Sequence, residues 1–249
     1  MISLRDVHKS FGTKNVLNGF SLDVMDGETM VIIGFSGSGK SVAIKHIVGL
    51  LMPDSGDVLV DNISVPSLTR RELYQLRARI AYVFQFAALF DSMTIGDNVA
   101  MGLRKQTDLT PAEIAVRVHE ALDLVDLPDV AGLSPAELSG GMRKRAGLAR
   151  AIALRPKYIL YDEPTTGLDP VTSAVINDLM LRMRRQLGAT SIVITHDMKS
   201  AYTVGTRIAM LYEGRVQQVG TVREIQETTD PIVRQFIEGR ATLEGIKLS

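Results

Sequence analysis

The first thirty residues alternate apolar and polar positions with turn residues between them, as in Ser3 to Val7 and Val16 to Val24, and this period predicts short strands. From Met30 to Ile33 the pattern becomes a continuous apolar run, as expected for a strand buried on both faces. It stops at the Gly/Ser cluster 34–39. Helical spacing follows over Ser41 to Leu51. Strands are expected at Asp57 to Val60 and Ile80 to Phe84, with a helix over Arg70 to Arg79 between them. Thr94 to Leu127 reads as largely helical. Within it Thr110-Pro111-Ala112-Glu113 is a helix start: a Thr cap, Pro at the first helical position and Glu at the third. Another helix is expected from Ser139 to Leu154, before Pro156. Strand Tyr158 to Tyr161, helix Pro170 to Leu187 and strand Ser191 to Thr195 then alternate as in a parallel sheet.

The order of elements predicts an α/β fold whose core sheet is mostly parallel. The mostly helical stretch Phe86 to Leu154, inserted between strands, predicts a helical subdomain projecting from that core. From Thr221 the chain reads as two short helices and a frayed end, so the expected division is 1–220 with 86–154 inserted, followed by a tail 221–249. In the tail Ile232, Val233, Phe236 and Ile237 recur at helical spacing, a stripe that either packs on its own domain or meets another subunit or a regulator.

Composition narrows the class. The chain has 249 residues, 45% hydrophobic and 22% charged, an ordinary globular mix. Lys plus Arg and Asp plus Glu are both 28, so no global field holds a polyanion and no nucleic-acid partner is expected. Any anion must be held locally. The absence of cysteine excludes disulfides, thiolate metal sites and a cysteine nucleophile, and fits a reducing compartment. Met1 to Lys9 lacks the apolar core of a secretory signal. No stretch approaches the ~20 apolar residues needed to span a bilayer, since Lys40, Lys45 and His46 interrupt the most apolar region.

Local anion chemistry is present at Gly34-Phe35-Ser36-Gly37-Ser38-Gly39-Lys40-Ser41, which matches G-x-x-x-x-G-K-[ST]. Glycines let successive backbone N–H groups converge on phosphate oxygens, and the following helix adds its positive end. Lys40 reaches the β/γ oxygens and Ser41 offers a hydroxyl to Mg²⁺. A chance match arises roughly once per hundred chains of this length, and an expected strand before it and helix after it lower those odds. Phosphoryl chemistry also needs a carboxylate for the metal and a group that orients water. Asp162 and Glu163, at the end of the apolar strand, offer the two. An Asp-Glu pair at a strand end is by itself usually only solvated, so the weight rests on the combination.

Leu138-Ser139-Gly140-Gly141-Met142 lies twenty residues before Asp162. With it the chain resembles the ATP-binding subunits of ABC transporters over about residues 2 to 220. The resemblance implies a P-loop NTPase fold of the ABC type, with an N-terminal antiparallel β-subdomain and an inserted helical one. It assigns Gln85 to the Q-loop and Gly167-Leu168-Asp169 to the D-loop. His196 becomes the H-loop histidine, in contact with the γ-phosphate and the attacking water, and Phe11 the aromatic that stacks on adenine. It further implies that ATP and Mg²⁺ are held between two copies of the chain. Residues 34–41 would bind the phosphates, Ser41, Gln85 and Asp162 the metal, and Ser139, Gly140, Gly141 and Asp169 would close the partner's site. Taken alone, Gln85, Phe11 and His196 each have an ordinary structural reading, and His8, His46 and His119 keep it. Arg143, Lys144 and Arg145 should fall in the first turn after Ser139, where the helix dipole disfavours each cation by a few tenths to ~1 kcal/mol. Either a bound anion relieves them or they are simply solvated.

Two positions depart from the commonest pattern of that family, Met142 where Gln is usual and Phe35 where Pro is common. Neither is a proposed phosphate or metal ligand. Within the family, the segments from Gln85 to Thr94, from Leu138 to Pro170 and from Asp230 to Phe236 are most similar to the Mla/Mce lipid-transport ATPases. A glycine-betaine-type importer shares the Leu-Ser-Gly-Gly-Met signature, and a soluble assembly-type ATPase shares the motifs. The lipid reading implies a permease, an Mce-type lipid-binding protein and a small regulatory subunit as partners, with the chain peripheral on the cytoplasmic face of the inner membrane. The apolar run Phe86 to Phe90 either lines a groove for a permease helix or packs in the core.

Overall fold

The computed structural model describes residues 1–240; the expected frayed end beyond them lies outside the described residues. The chain divides into two compact units, residues 1–68 with 192–249 and residues 69–191.

In the first unit β1 (Ile2–Phe11) and β2 (Lys14–Val24) form an antiparallel pair, and β4 (Ser55–Val60) and β5 (Ile63–Ser64) extend it to a four-stranded sheet in the order β2-β1-β4-β5. The alternating pattern is realised as a buried face of Ile2, Leu4, Val7, Leu17, Phe20, Leu22, Val58 and Val60. β3 (Thr29–Ile33) is buried at every position and pairs parallel with β9 (Arg207–Tyr212), Met30 opposite Arg207 and Ile33 opposite Met210. β10 (Arg215–Thr221) pairs antiparallel with β9. β8 (Thr190–Ile194), in which the boundary between the units falls, lies next to β3.

From the glycine loop after β3 rises α1 (Lys40–Ile47). It is shorter than the expected Ser41 to Leu51. The chain turns through Val48, and Gly49 takes φ +61, the left-handed conformation that ends helices. α7 (Met198–Val204), α8 (Val222–Gln226) and α9 (Pro231–Glu238) complete the first unit. The α9 stripe packs on its own domain: Val233 is buried and the Phe236 ring meets Phe35 of the glycine loop edge-on at 5.2 Å.

The second unit holds α2 (Arg70–Arg77), β6 (Ile80–Val83), α3 (Ile95–Gln106), α4 (Pro111–Leu124), α5 (Gly140–Ile152), β7 (Tyr158–Asp162) and α6 (Pro170–Leu187). The stretch expected to be helical from Thr94 to Leu127 is two helices, separated where Thr107 caps α3 and Thr110 opens α4. Thr110 accepts from Glu113 N while Glu113 reaches back to Thr110 N, the capping box read from the sequence. β6 and β7 run parallel, Ile80 opposite Tyr158 and Val83 opposite Tyr161, so the residues after both strands emerge at one end.

Candidate functional site

Each unit carries a cluster of the expected residues at the carboxyl ends of its parallel strands, where open α/β sheets bind ligands. In the first unit β3 delivers residues 34–41. Gly34 takes φ +153, and a Cβ there would lie 2.4 Å from the Leu211 carbonyl oxygen, so β9 leaves no room for a side chain. Gly39 caps α1 in the left-handed conformation, φ +103, with Val16 of β2 closing on its Cα.

The loop is built to face an anion. Every other α-helix among the described residues has a side chain capping its N-terminus, from Thr69 of α2 to Asp230 of α9, but α1 has none and no acid in its first turn. Its N-cap is a glycine, which offers no side-chain acceptor, and the helix start carries the positive end of the dipole. Lys40 is only 7% exposed and donates to the carbonyls of Gly34 at 2.8 Å and Phe35 at 3.0 Å, which holds its ammonium at the loop. Ser38 Oγ is buried with no hydrogen-bond partner among the described residues. A buried cation, an uncapped helix start and an orphaned hydroxyl fit a phosphate chain.

Phe11 ends β1 with 47% of its surface exposed and the Lys9 ammonium 5.7 Å from its ring centre, an open face for a flat base. His196 follows β8 and is exposed; Asp197 N donates to Thr195 Oγ1 and the Asp197 carboxylate caps α7.

In the second unit β6 leads to Gln85, half-buried, and β7 to Asp162 and Glu163. Asp162 is buried and accepts a hydrogen bond of 2.8 Å from the Tyr82 hydroxyl. Burial, then the charge of Asp162 and this hydrogen bond, push the Tyr82 phenol far above its ordinary range, so it stays a donor. Tyr82→Phe keeps the ring contact with Phe84 but removes that donor. We expect it to lower stability by about 1.5–3 kcal/mol, the worth of a hydrogen bond to a charged group, read as a shifted denaturant midpoint with unchanged slope.

Ser139 caps α5 by accepting from Met142 N at 3.2 Å. Gly140 is exposed, and at Gly141 a Cβ would stand 2.8 Å from Thr172 Cγ2, so a side chain there would require Thr172 to shift. Asp169 caps α6 through Val171 N and Thr172 N, and bonds from the Thr172 hydroxyl and these N–H groups hold its carboxyl below the usual range.

The three cations after the signature sit only partly as expected. α5 starts at Gly140, so Arg143, its fourth residue, closes the first turn while Lys144 and Arg145 fall in the second. Lys144 donates to the carbonyls of Pro164 and Thr166 and Arg145 to those of Val125 and Asp126, while Arg143 is exposed. Backbone carbonyls satisfy two of the three, a partner that neither the anion nor the solvent reading supplied. The apolar run after Gln85 is not core: Phe86 is 78% exposed, Phe90 is exposed and Leu89 is half-buried.

Comparison with known proteins agrees with this chemistry. Residues 17–166 match the family described as ABC transporter. The chain is 42% identical over 240 residues to the probable ribonucleotide transport ATP-binding protein mkl of Mycobacterium leprae, covering 96% of this chain and 69% of that protein. It is 38% identical over 241 residues to the intermembrane phospholipid transport system ATP-binding protein MlaF of Escherichia coli K12, covering 97% and 90%. Among solved structures, a dimeric post-hydrolysis state of the ATP-binding cassette MJ0796 bound to ADP and Pi matches with TM-score 0.82 and 34% identity over 90% of this chain and 99% of that one.

Proposed function

The chain belongs to the ABC transporter family as an ATP-hydrolysing subunit, and from that premise we propose that it drives a membrane permease that moves phospholipid. The observation that carries the nucleotide half is the uncapped start of α1 over a buried Lys40 and the orphaned Ser38 hydroxyl. The likeness to MlaF, which spans nine-tenths of that protein, carries the cargo half.

In this reading Ser36 to Ser41 hold the phosphates and Phe11 stacks on the adenine. Ser41, Gln85 and Asp162 offer Mg²⁺ one carboxylate, one amide oxygen and one hydroxyl. This oxygen donor set suits that hard ion, which usually takes one or two carboxylates together with substrate phosphates. Held by these residues, Mg²⁺ would supply neutralisation of phosphate charge. Glu163 orients and polarises the water that forms the new bond to the γ-phosphorus, and the bond to the β–γ bridging oxygen breaks to leave ADP and phosphate. His196 contacts the γ-phosphate and that water. A second copy presents its Ser139, Gly140, Gly141 and Asp169 to the same nucleotide, in keeping with the dimeric state solved for MJ0796.

Among the described residues no helix is long and apolar enough to cross a membrane. The permease therefore supplies the spanning segments in this proposal, with the chain on the cytoplasmic face and an Mce-type lipid-binding protein and a small regulatory subunit completing the assembly. Purifying the whole complex and identifying its bound lipid by mass spectrometry tests the cargo. Phospholipid is expected, and a complex that carries and moves only a small solute such as a nucleotide or methionine would refute it.

The exposed run after Gln85 is the proposed permease contact. Leu89→Asp is expected to abolish stimulation of ATP turnover by the permease while nucleotide affinity stays within about twofold, as for a residue outside the phosphate site. Unaltered stimulation in reconstituted membranes would remove the run from that role.

A further inference from the structure

Glu163 is one of the non-glycine residues with positive φ, +52, immediately after β7. A non-glycine residue in that region costs on the order of 1–3 kcal/mol and persists where its surroundings hold it. Two side chains do so. Thr166 Oγ1 donates to Glu163 Oε2 at 2.6 Å, while Thr166 N donates to the Glu163 carbonyl at 3.3 Å. Lys144, from the second turn of α5, donates to the carbonyls of Pro164 at 3.0 Å and Thr166 at 2.5 Å. Glu163 to Thr166 thus forms a short turn closed from within by Thr166 and clamped from outside by an ammonium. Burial pulls the Lys144 ammonium below its usual range and the Glu163 charge opposes that shift, so the clamp works in a partly desolvated place where hydrogen bonds are strong.

We propose that Thr166 and Lys144 are positioning residues for Glu163: the Thr166 hydroxyl fixes one carboxylate oxygen and so the direction of the other, and Lys144 anchors the turn that carries Thr166 to the signature helix. This rests on the reading of Glu163 as the group that polarises water. A carboxylate on a stem of two methylenes otherwise samples several rotamers, and a displacement near 1 Å costs up to ~10²-fold in rate. The two anchors also explain why Lys144 is tolerated close to a helix start that disfavours it: its charge is taken up by carbonyls. Because Ser139 caps α5, a shift of that helix start would be passed to the orientation of Glu163 through Lys144.

The test is steady-state ATP turnover of the full chain in its permease complex, with nucleotide affinity measured separately. Thr166→Val should lower kcat by about 10- to 100-fold with KM and Kd for ATP within about twofold, and Thr166→Ser, which keeps the donor, should restore it. Lys144→Met, which keeps the stem, should show the same loss confined to kcat. If Thr166→Val does not fold, this second variant decides. In a Glu163→Gln background Thr166→Val should add nothing, since the two act through one carboxylate. Turnover near wild type in both Thr166→Val and Lys144→Met, alongside a strong Glu163→Gln defect, overturns the positioning role and leaves the base reading standing. So does a loss that serine fails to restore or that appears equally in nucleotide affinity. Near-normal turnover in Glu163→Gln instead refutes the base reading itself.

Discussion

Glu163→Gln lowers ATP turnover by about 10²- to 10⁴-fold, the usual range for a positioned general base, with little change in ATP affinity. The amide is nearly isosteric with the carboxylate and Thr166 Oγ1 can still donate to its carbonyl oxygen, so the turn after β7 should survive. What is lost is the negative oxygen that draws a proton from water as the P–O bond forms. In the proposed site the phosphates are held elsewhere, by residues 34–41, and for that reason affinity is expected to be spared. A stalled enzyme that keeps its nucleotide should also accumulate as the nucleotide-bound dimer. Single-turnover hydrolysis and a binding isotherm on the same preparation check both halves. Turnover near the native rate would take Glu163 out of the chemistry.

The second large effect is the reverse, a loss of binding. Lys40→Met removes a buried ammonium that donates to the Gly34 and Phe35 carbonyls. Truncating a buried, hydrogen-bonded charge costs about 2–5 kcal/mol in binding, or some 30- to 4,000-fold in Kd. Part of the cost comes from the loop, whose two carbonyls lose that donor, and part from the phosphate charge left uncompensated. Calorimetry with ATP should show weakened or undetectable uptake. An unchanged Kd would mean that the backbone N–H groups of the loop suffice and that Lys40 serves only the fold.

How much of this was readable in the chain depends on how local the cause is. Residues 34–41 declare themselves because phosphate binding by backbone N–H groups requires glycine at fixed spacing. The bounds of α6, Pro170 to Leu187, follow from an Asp cap, a Pro at the first position and Gly188 after the last, all adjacent in sequence. Residues 196–220 carried no assigned element, yet they hold α7, β9 and β10. The hint was there in Glu213-Gly214, a turn between two strand-like runs, with both residues at positive φ.

Contacts that depend on register were out of reach. Tyr82 meets Asp162 only because β6 and β7 pair in parallel, and Phe35 meets Phe236 only because α9 returns to the glycine loop. The Lys144 and Arg145 carbonyl partners lie about twenty residues away on either side, so the sequence offered only an anion or water as the answer to their charge. Thr166, three residues after Glu163, was the nearest overlooked neighbour; a hydroxyl at that offset is a local hydrogen-bond donor by type.

The account turns on two copies of this chain sharing Mg-ATP, each supplying its glycine loop to one nucleotide and its Ser139 helix start to the other. Sedimentation of the Glu163→Gln chain with and without Mg-ATP, with bound nucleotide quantified in each species, measures this directly. The account predicts that the mass doubles on adding Mg-ATP and that the dimer carries one nucleotide per chain. Nucleotide bound at saturation with no change in mass, or no nucleotide bound at all, would contradict it.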